Sequence, residues 1–293
     1  MTLISAEPHT SRVRGGNKRP ADRDDPANPY LSVIVPAYNE AQRIAETLGL
    51  IRAYLAQQPW SWEVIVAADG NDGTREIVAG LANKPEWAGR LHVIGAPERG
   101  GKGKGIRDGV MIARGRVVGF CDADYKTPIE ELDKLLPVLE SGGGDVAIGS
   151  RAVGDSRIIR PQPLYRRVGS KAFKWVMRVL VGLYGIGDTQ CGFKFFRAPV
   201  ARDLFGRQRI DGYMFDVEVL RLAKRLGYDV REVGVRWQDD GDSRYDPVAG
   251  TLKNARELLR IRFMRYPRVG AMAEGGVAEG ASIAGQAQTI GAV

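Results

Sequence analysis

Apolar and polar positions along the chain follow two periods. Leu31-Ser32-Val33-Ile34-Val35 is a short apolar run closed by Pro36, the mark of a buried strand. Ile44, Leu48, Ile51 and Leu55 then recur at helical spacing and predict an amphipathic helix over 41–57, with Asn39 placed to cap it. Trp62 to Ala68 reads as a second strand, ended by an Asp/Gly-rich turn from Asp69 to Thr74 and a helix over 74–81. A short strand at Leu91-His92-Val93-Ile94 is followed by the glycine-rich loop 99–105 and a helix running to Ile112. The run Val117-Val118-Gly119-Phe120-Cys121 is the fourth strand. Such alternation predicts a Rossmann-like α/β fold: a mostly parallel sheet with helices on both faces, the architecture of nucleotide-binding domains.

The second half is less regular. A helix over 129–139, a Gly142-Gly143-Gly144 link and a strand from Asp145 to Arg151 come first. Next are a turn and strand over 188–196, a helix over 216–226 and a strand over 230–237. Two segments, 162–186 and 251–266, mix Arg and Lys with large apolar residues. They are expected either to lie in a membrane headgroup layer as amphipathic helices or to pack on the sheet with their charges solvated. Residues 1–29 are polar and 267–293 are rich in Gly and Ala, so both are expected to be disordered. The catalytic domain would then be 30–266.

Lys and Arg outnumber Asp and Glu by 43 to 35, a net +8 that favours anionic partners. The two cysteines, Cys121 and Cys191, offer no disulfide framework and fit a reducing compartment. With only two histidines, a triad built on His is disfavoured. The longest apolar stretch, 175–186, is too short to span a bilayer.

Candidate chemistry falls at strand ends. Asp122 and Asp124, one residue apart after the fourth strand, project to the same side of an extended chain. They can converge on a hard cation such as Mg²⁺ or Mn²⁺, or form a polar turn in which Asp124 caps the next helix. Pro36 fixes a turn after the first strand, where Glu40 could receive a base or ribose donor. Asp69 could accept from a nucleobase N–H or simply form an Asx-Gly turn. Gly101-Lys102-Gly103-Lys104-Gly105 suits an anion or is a solvated basic loop; it matches neither the P-loop nor the dinucleotide pattern. Gln190 offers a neutral oxygen.

In order along the chain stand Val-Pro-Ala-Tyr-Asn-Glu, Asp-Gly-Asn-Asp-Gly-Thr, Gly-Lys-Gly, Asp-Ala-Asp, Ile-Gly-Ser-Arg, Asp-Thr-Gln-Cys-Gly-Phe-Lys, Phe-Asp-Val-Glu and Ser-Arg. Together they resemble the family 2 inverting glycosyltransferases of the GT-A fold, over about Leu31 to Arg262. Within that family the chain is most similar to the polyprenyl-phosphate sugar synthases, the dolichyl-phosphate glucosyltransferases and dolichol-phosphate mannose synthases, with the glucosyl type favoured. The resemblance implies that Asp122, Asp124 and Gln190 hold Mg²⁺ or Mn²⁺ on the donor diphosphate. It implies that Pro36, Tyr38, Glu40 and Asp69 line the base and ribose pocket, and that Lys102 and Ala123 belong to the same nucleotide-sugar site. Arg151, Arg244 and one of Arg166 and Arg167 would meet phosphate. Asp216 would position the acceptor or begin a helix as its cap. Two motifs depart from the family pattern: Asp69 stands alone after Ala68, and Gly241 sits one place early before Ser243-Arg244.

The implied reaction moves a hexose, glucose before mannose, from UDP-glucose or GDP-mannose to a polyprenyl or dolichyl phosphate on the cytoplasmic face of a membrane. A phosphate acceptor is already anionic and needs little help from a base, which suits a site without His. The alternatives are a soluble family 2 enzyme with a saccharide acceptor, and a nucleic-acid-binding module, which the clustering of basic residues beside strand ends disfavours.

Overall fold

The computed structural model describes residues 27–154, 156–158, 178, 180–238 and 247–266. The expectations for 1–26, 267–293 and most of 162–186 lie outside them, as do Arg166, Arg167 and Arg244.

The elements are β1 (Leu31–Tyr38), α1 (Ile44–Leu55), β2 (Trp62–Asp69), α2 (Thr74–Ala82), β3 (Leu91–Ile94), α3 (Lys102–Ile112), β4 (Val117–Cys121), α4 (Leu132–Glu140), β5 (Val146–Ser150), β6 (Arg157–Ile158), β7 (Phe193–Arg197), α5 (Ala198–Arg207), α6 (Phe215–Arg225), β8 (Val230–Gly234), β9 (Arg236–Trp237) and α7 (Pro247–Phe263). Seven strands form one sheet in the order β3-β2-β1-β4-β7-β5-β8. All run parallel except β7, which lies antiparallel between β4 and β5. The strand expected over 230–237 is broken at Val235; its last two residues pair with β6 in a separate small sheet.

Alternation along the strands divides the core. Val33, Val35, Val64, Val66, Phe193 and Phe195 face one side, under Ile44, Leu48 and Ile51 of α1 and Leu132, Leu135 and Leu139 of α4. Ile34, Ile65, Phe120 and Phe196 face the other, under Ile106 and Val110 of α3, Phe205 of α5, Phe215 and Leu222 of α6, and Leu258 and Ile261 of α7. At about 25 cal/mol per Å² of apolar surface, burial on both faces is what holds the sheet between two helical layers. Gly119 of β4 faces Phe195 of β7. A Cβ there would fall 2.1 Å from the ring, so only glycine lets the two strands pair at this register.

The carboxyl ends of β1, β2 and β4 open on the same edge, where the strand order turns outward from β1 to β2 on one side and β4 on the other. In open α/β sheets this is where ligands bind.

Candidate active site

A cavity of about 440 Å³ lies at that edge. It is lined by Pro36, Tyr38 and Glu40 after β1, Asp69 at the end of β2, Lys102 at the start of α3, and Asp122, Ala123 and Asp124 after β4. All eight residues of the expected nucleotide-sugar set are thus brought together. Arg43, Arg99, Lys126 and Tyr213 also line it. The sequence reading missed these four. The signal for two of them was proximity: Lys126 follows the aspartates by two residues, and Arg99 opens the glycine-rich loop.

The β1 end is shaped by the neighbouring turn. Asn39 does not cap α1. It adopts a left-handed backbone (φ 55°), and its side-chain oxygen accepts from Asn71 N–H at 3.3 Å. Thr74 Oγ1 accepts from Glu40 N–H at 2.9 Å, and Asp72 accepts from Ala41 N–H at 2.9 Å, so the second turn fastens the segment that leads into α1. Asp69 accepts from Ala96 N–H (3.2 Å) and Gly100 N–H (2.8 Å), fastening the loop before α3. Across the cleft mouth, the Arg99 guanidinium stands 4.3 Å above the Tyr38 ring and 3.4 Å from the Tyr213 hydroxyl.

The glycines of the Gly-Lys-Gly loop serve packing more than an anion. A Cβ on Gly101 would lie 2.3 Å from Asp211 O, and one on Gly103 would lie 2.6 Å from both Ile210 O and Phe215 Cβ. The first amides of α3 donate to Asp211 O, from Gly103 at 2.8 Å and Lys104 at 3.3 Å. Lys102 and Arg99 are therefore the charged groups that this loop offers the cleft.

At the β4 end, Lys102 Nζ lies 2.5 Å from Asp122 Oδ1. The Asp122 carboxylate lies flat on Gly192, where a Cβ would fall 2.0 Å from Oδ2. Asp124 forms no cap, since the next helical turn starts at Ile129 without a side-chain cap. It instead accepts from Lys126 N–H at 3.4 Å, with the Lys126 ammonium 3.4 Å from its other oxygen. Burial, then the charge of Asp122, hold the Asp124 carboxyl above its usual range, against the pull of Lys126 and Lys102. Burial disfavours the Lys102 ammonium, but the carboxylates of Asp122 and Asp216 outweigh it and hold its pKa up. The Ala123 carbonyl is anchored by Thr47 Oγ1 at 2.7 Å. Tyr125 takes a left-handed backbone (φ 54°) to close the turn, a strained conformation of the kind found where geometry serves a site.

These carboxylates fit a divalent cation. Two of them converge on one cleft, and burial, then the charge of Asp122, raises Asp124. Among the described residues no cluster of three or more His, Cys, Asp or Glu side chains could hold a metal alone. Further ligands would have to come from a phosphate-bearing ligand, water or a neutral group. Gln190 is not among the cavity-lining residues; its amide nitrogen lies 3.9 Å from Met214 Sδ.

Beneath the cleft, Asp216 is buried with Lys194, 2.7 Å apart. It sits inside the first turn of α6 and is not its cap. Lys194 also donates to Cys191 O at 2.5 Å. Arg151 lies outside the cavity lining, gripped by the fully buried Asp188 through Nε at 2.6 Å and Nη2 at 2.9 Å, with the Trp237 ring 5.2 Å away.

The model of the glycosyl transferase family 2 matches residues 32–205. The chain belongs to this family. A dolichyl-phosphate beta-glucosyltransferase of Drosophila melanogaster is 36% identical over 271 residues, covering 89% of this chain and 81% of that protein. The Homo sapiens protein of the same name is 32% identical, covering 84% and 78%. Among solved structures, glucosyl-3-phosphoglycerate synthase from Mycobacterium tuberculosis, with Mn²⁺ and UDP-glucose, superposes with a TM-score of 0.57 at 20% identity, covering 80% and 79%. Mannosyl-3-phosphoglycerate synthase from Rubrobacter xylanophilus gives 0.57 at 18%, covering 83% and 78%. The expected GT-A fold is thus shared with sugar-transferring enzymes, and this chain is a glycosyltransferase.

Proposed function

We propose that this chain transfers glucose from UDP-glucose to a polyprenyl or dolichyl phosphate at a membrane surface, with inversion at the anomeric carbon. The observation that carries the reading is the cleft where Asp122, Asp124 and Lys102 converge at the β4 end beside Tyr38, Glu40 and Asp69. The relatives' names supply glucose and the lipid acceptor. Tyr38, Glu40, Asp69 and Arg99 would embrace the base and ribose. Lys102 would meet the diphosphate. Asp122 and Asp124, with Gln190, would hold Mg²⁺ or Mn²⁺, which when bound neutralises the leaving diphosphate.

No histidine lines the cavity among the described residues. That suits an acceptor whose phosphate is already ionised, so that positioning does most of the work. Arg151 would present to the acceptor phosphate the guanidinium edge that Asp188 does not grip. Arg166, Arg167 and Arg244 would add to that end. Asp216 would act on the acceptor side indirectly, through Lys194.

Among the described residues no helix is long and apolar enough to cross a membrane. Helix α7 instead exposes Leu259 (49%) and Phe263 (77%) among Arg256, Arg260 and Arg262. That face suits insertion among anionic headgroups on the cytoplasmic side, at about 1 kcal/mol per basic residue.

The test is a melting panel with Mn²⁺ and UDP, UDP-glucose, GDP or GDP-mannose, followed by transfer of labelled sugar to polyprenyl phosphate. Ligand at about 100 times its Kd adds about 2.7 kcal/mol. A Mn²⁺-dependent shift with the uridine nucleotides, lost in Asp124→Ala, is expected. A shift with GDP-mannose alone changes the donor to mannose. No shift with any nucleotide overturns the reading.

A further inference from the structure

Each cleft carboxylate already has a lysine. Lys102 Nζ is 2.5 Å from Asp122 Oδ1, and Lys126 Nζ is 3.4 Å from Asp124 Oδ2. The Asp122 oxygen facing Lys102 is sealed from solvent, and the carboxylate rests on Gly192, where a Cβ would fall 2.0 Å from its other oxygen. A cation reaching Asp122 through its other oxygen must therefore share the carboxylate with an ammonium. Lys102 is the first residue of α3, lines the same cavity, and has a flexible four-carbon stem.

We infer that Lys102 is an exchangeable counter-ion that couples cation binding to donor binding. A divalent cation arriving alone must strand the Lys102 ammonium among positive charge. A cation arriving with a diphosphate gives that ammonium new anionic oxygens, so Lys102 moves from Asp122 to the diphosphate as the cation takes Asp122. Cation and nucleotide then bind as a pair. By linkage, the factor by which UDP tightens Mn²⁺ equals the factor by which Mn²⁺ tightens UDP, and Lys102 would be the source of much of that factor. This inference rests on the donor-site reading above.

Mn²⁺ binding, followed by loss of the free-ion electron paramagnetic resonance signal, tests it without turnover. Wild-type protein should bind Mn²⁺ weakly alone and much more tightly with UDP. Lys102→Met should bind Mn²⁺ alone about tenfold or more tighter than wild type, and UDP should add correspondingly less. Lys102→Arg, which keeps the charge, should behave as wild type in the absence of UDP. Melting curves for both variants check that they are folded; if Lys102→Met is not, Lys102→Gln takes its place with the same expectation. If wild type shows UDP-dependent Mn²⁺ binding while the neutral variant gains nothing for Mn²⁺ alone, the inference is overturned and the site reading stands. If no protein binds Mn²⁺ with or without UDP, both fall.

Discussion

Two lysine–aspartate pairs lie close together in this enzyme and have different fates. Lys102–Asp122 spans 2.5 Å in the open cleft, with side chains 21% and 33% exposed. Lys194–Asp216 spans 2.7 Å below it, with side chains 1% and 5% exposed. The ions and spacing are nearly the same, and depth decides what each pair can do. In the cleft, water and incoming phosphate can solvate either partner once the pair separates, so the pair is exchangeable. Under the sheet nothing replaces the lost partner, and separation strands a charge at low dielectric. Burial raises the Asp216 carboxyl, while Lys194 and then Lys102 pull it down. The deep pair is a fixed post behind Lys102, and the cleft pair is the working one.

The largest effect should come from the deep pair. Asp216→Ala leaves Lys194 unpaired and should cost about 3–5 kcal/mol of unfolding free energy in urea denaturation. A loss below about 1 kcal/mol would erase the contrast. Asp122→Asn should leave unfolding free energy within about 1 kcal/mol of wild type. It should lower turnover in the sugar-transfer assay about 10²–10³-fold, equivalent to about 3–4 kcal/mol. Gly192→Ala puts a methyl into the Asp122 carboxylate and leaves the Lys194–Asp216 contact in place. Turnover should fall about 10–100-fold, with Mn²⁺ affinity in the presence of UDP falling alongside it.

The smallest effect concerns a third pattern, a buried carboxylate with exposed cations. Burial opposes ionisation of Glu131, but hydrogen bonds from Lys134 and then Arg236 outweigh it and hold its pKa below the usual value. A depressed acid contributes stability above its unfolded pKa, near 4.3 for glutamate, and loses it as pH falls through the lower folded value. Glu131→Gln should cost about 1 kcal/mol near neutral pH, since both cations are 44% exposed. The difference from wild type should shrink as pH falls below about 4. A constant difference across that window would count against the ion pairs as its source.

Much of the site could be read from the sequence because its residues follow strands whose apolar runs are unmistakable. Val33 to Val35, Val64 to Ala68 and Val117 to Cys121 predict β1, β2 and β4, and the polar residue just past each run lands on the same edge. What could not be read depends on distant partners. Nothing in Phe193-Lys194-Phe195-Phe196 states a direction, so the antiparallel insertion of β7 was invisible. Lys194 finds Asp216 only through the fold. The glycines at 101 and 103 read as an anion cradle because their real neighbours, Ile210, Asp211 and Phe215, lie about 110 residues downstream. Asn39 fits a cap locally, but Asn71 N–H claimed its oxygen. Tyr213 carries no local signal, because its place in the cleft is set by the packing of the 210–215 segment on α3.

The antiparallel β7 also sets a timetable. Strand β5 touches β4 only through β7, so the sheet cannot grow past β4 until Phe193 to Arg197 have been made. The 71 residues between Cys121 and Phe193 take about 4–14 s to emerge at translation rates of about 5–20 residues per second. For those seconds the nascent β3-β2-β1-β4 half presents Val117 to Cys121 as a bare apolar edge, the kind of strand that recruits wrong partners. The chain closes that edge itself, with one antiparallel strand carrying the lysine that the buried Asp216 needs.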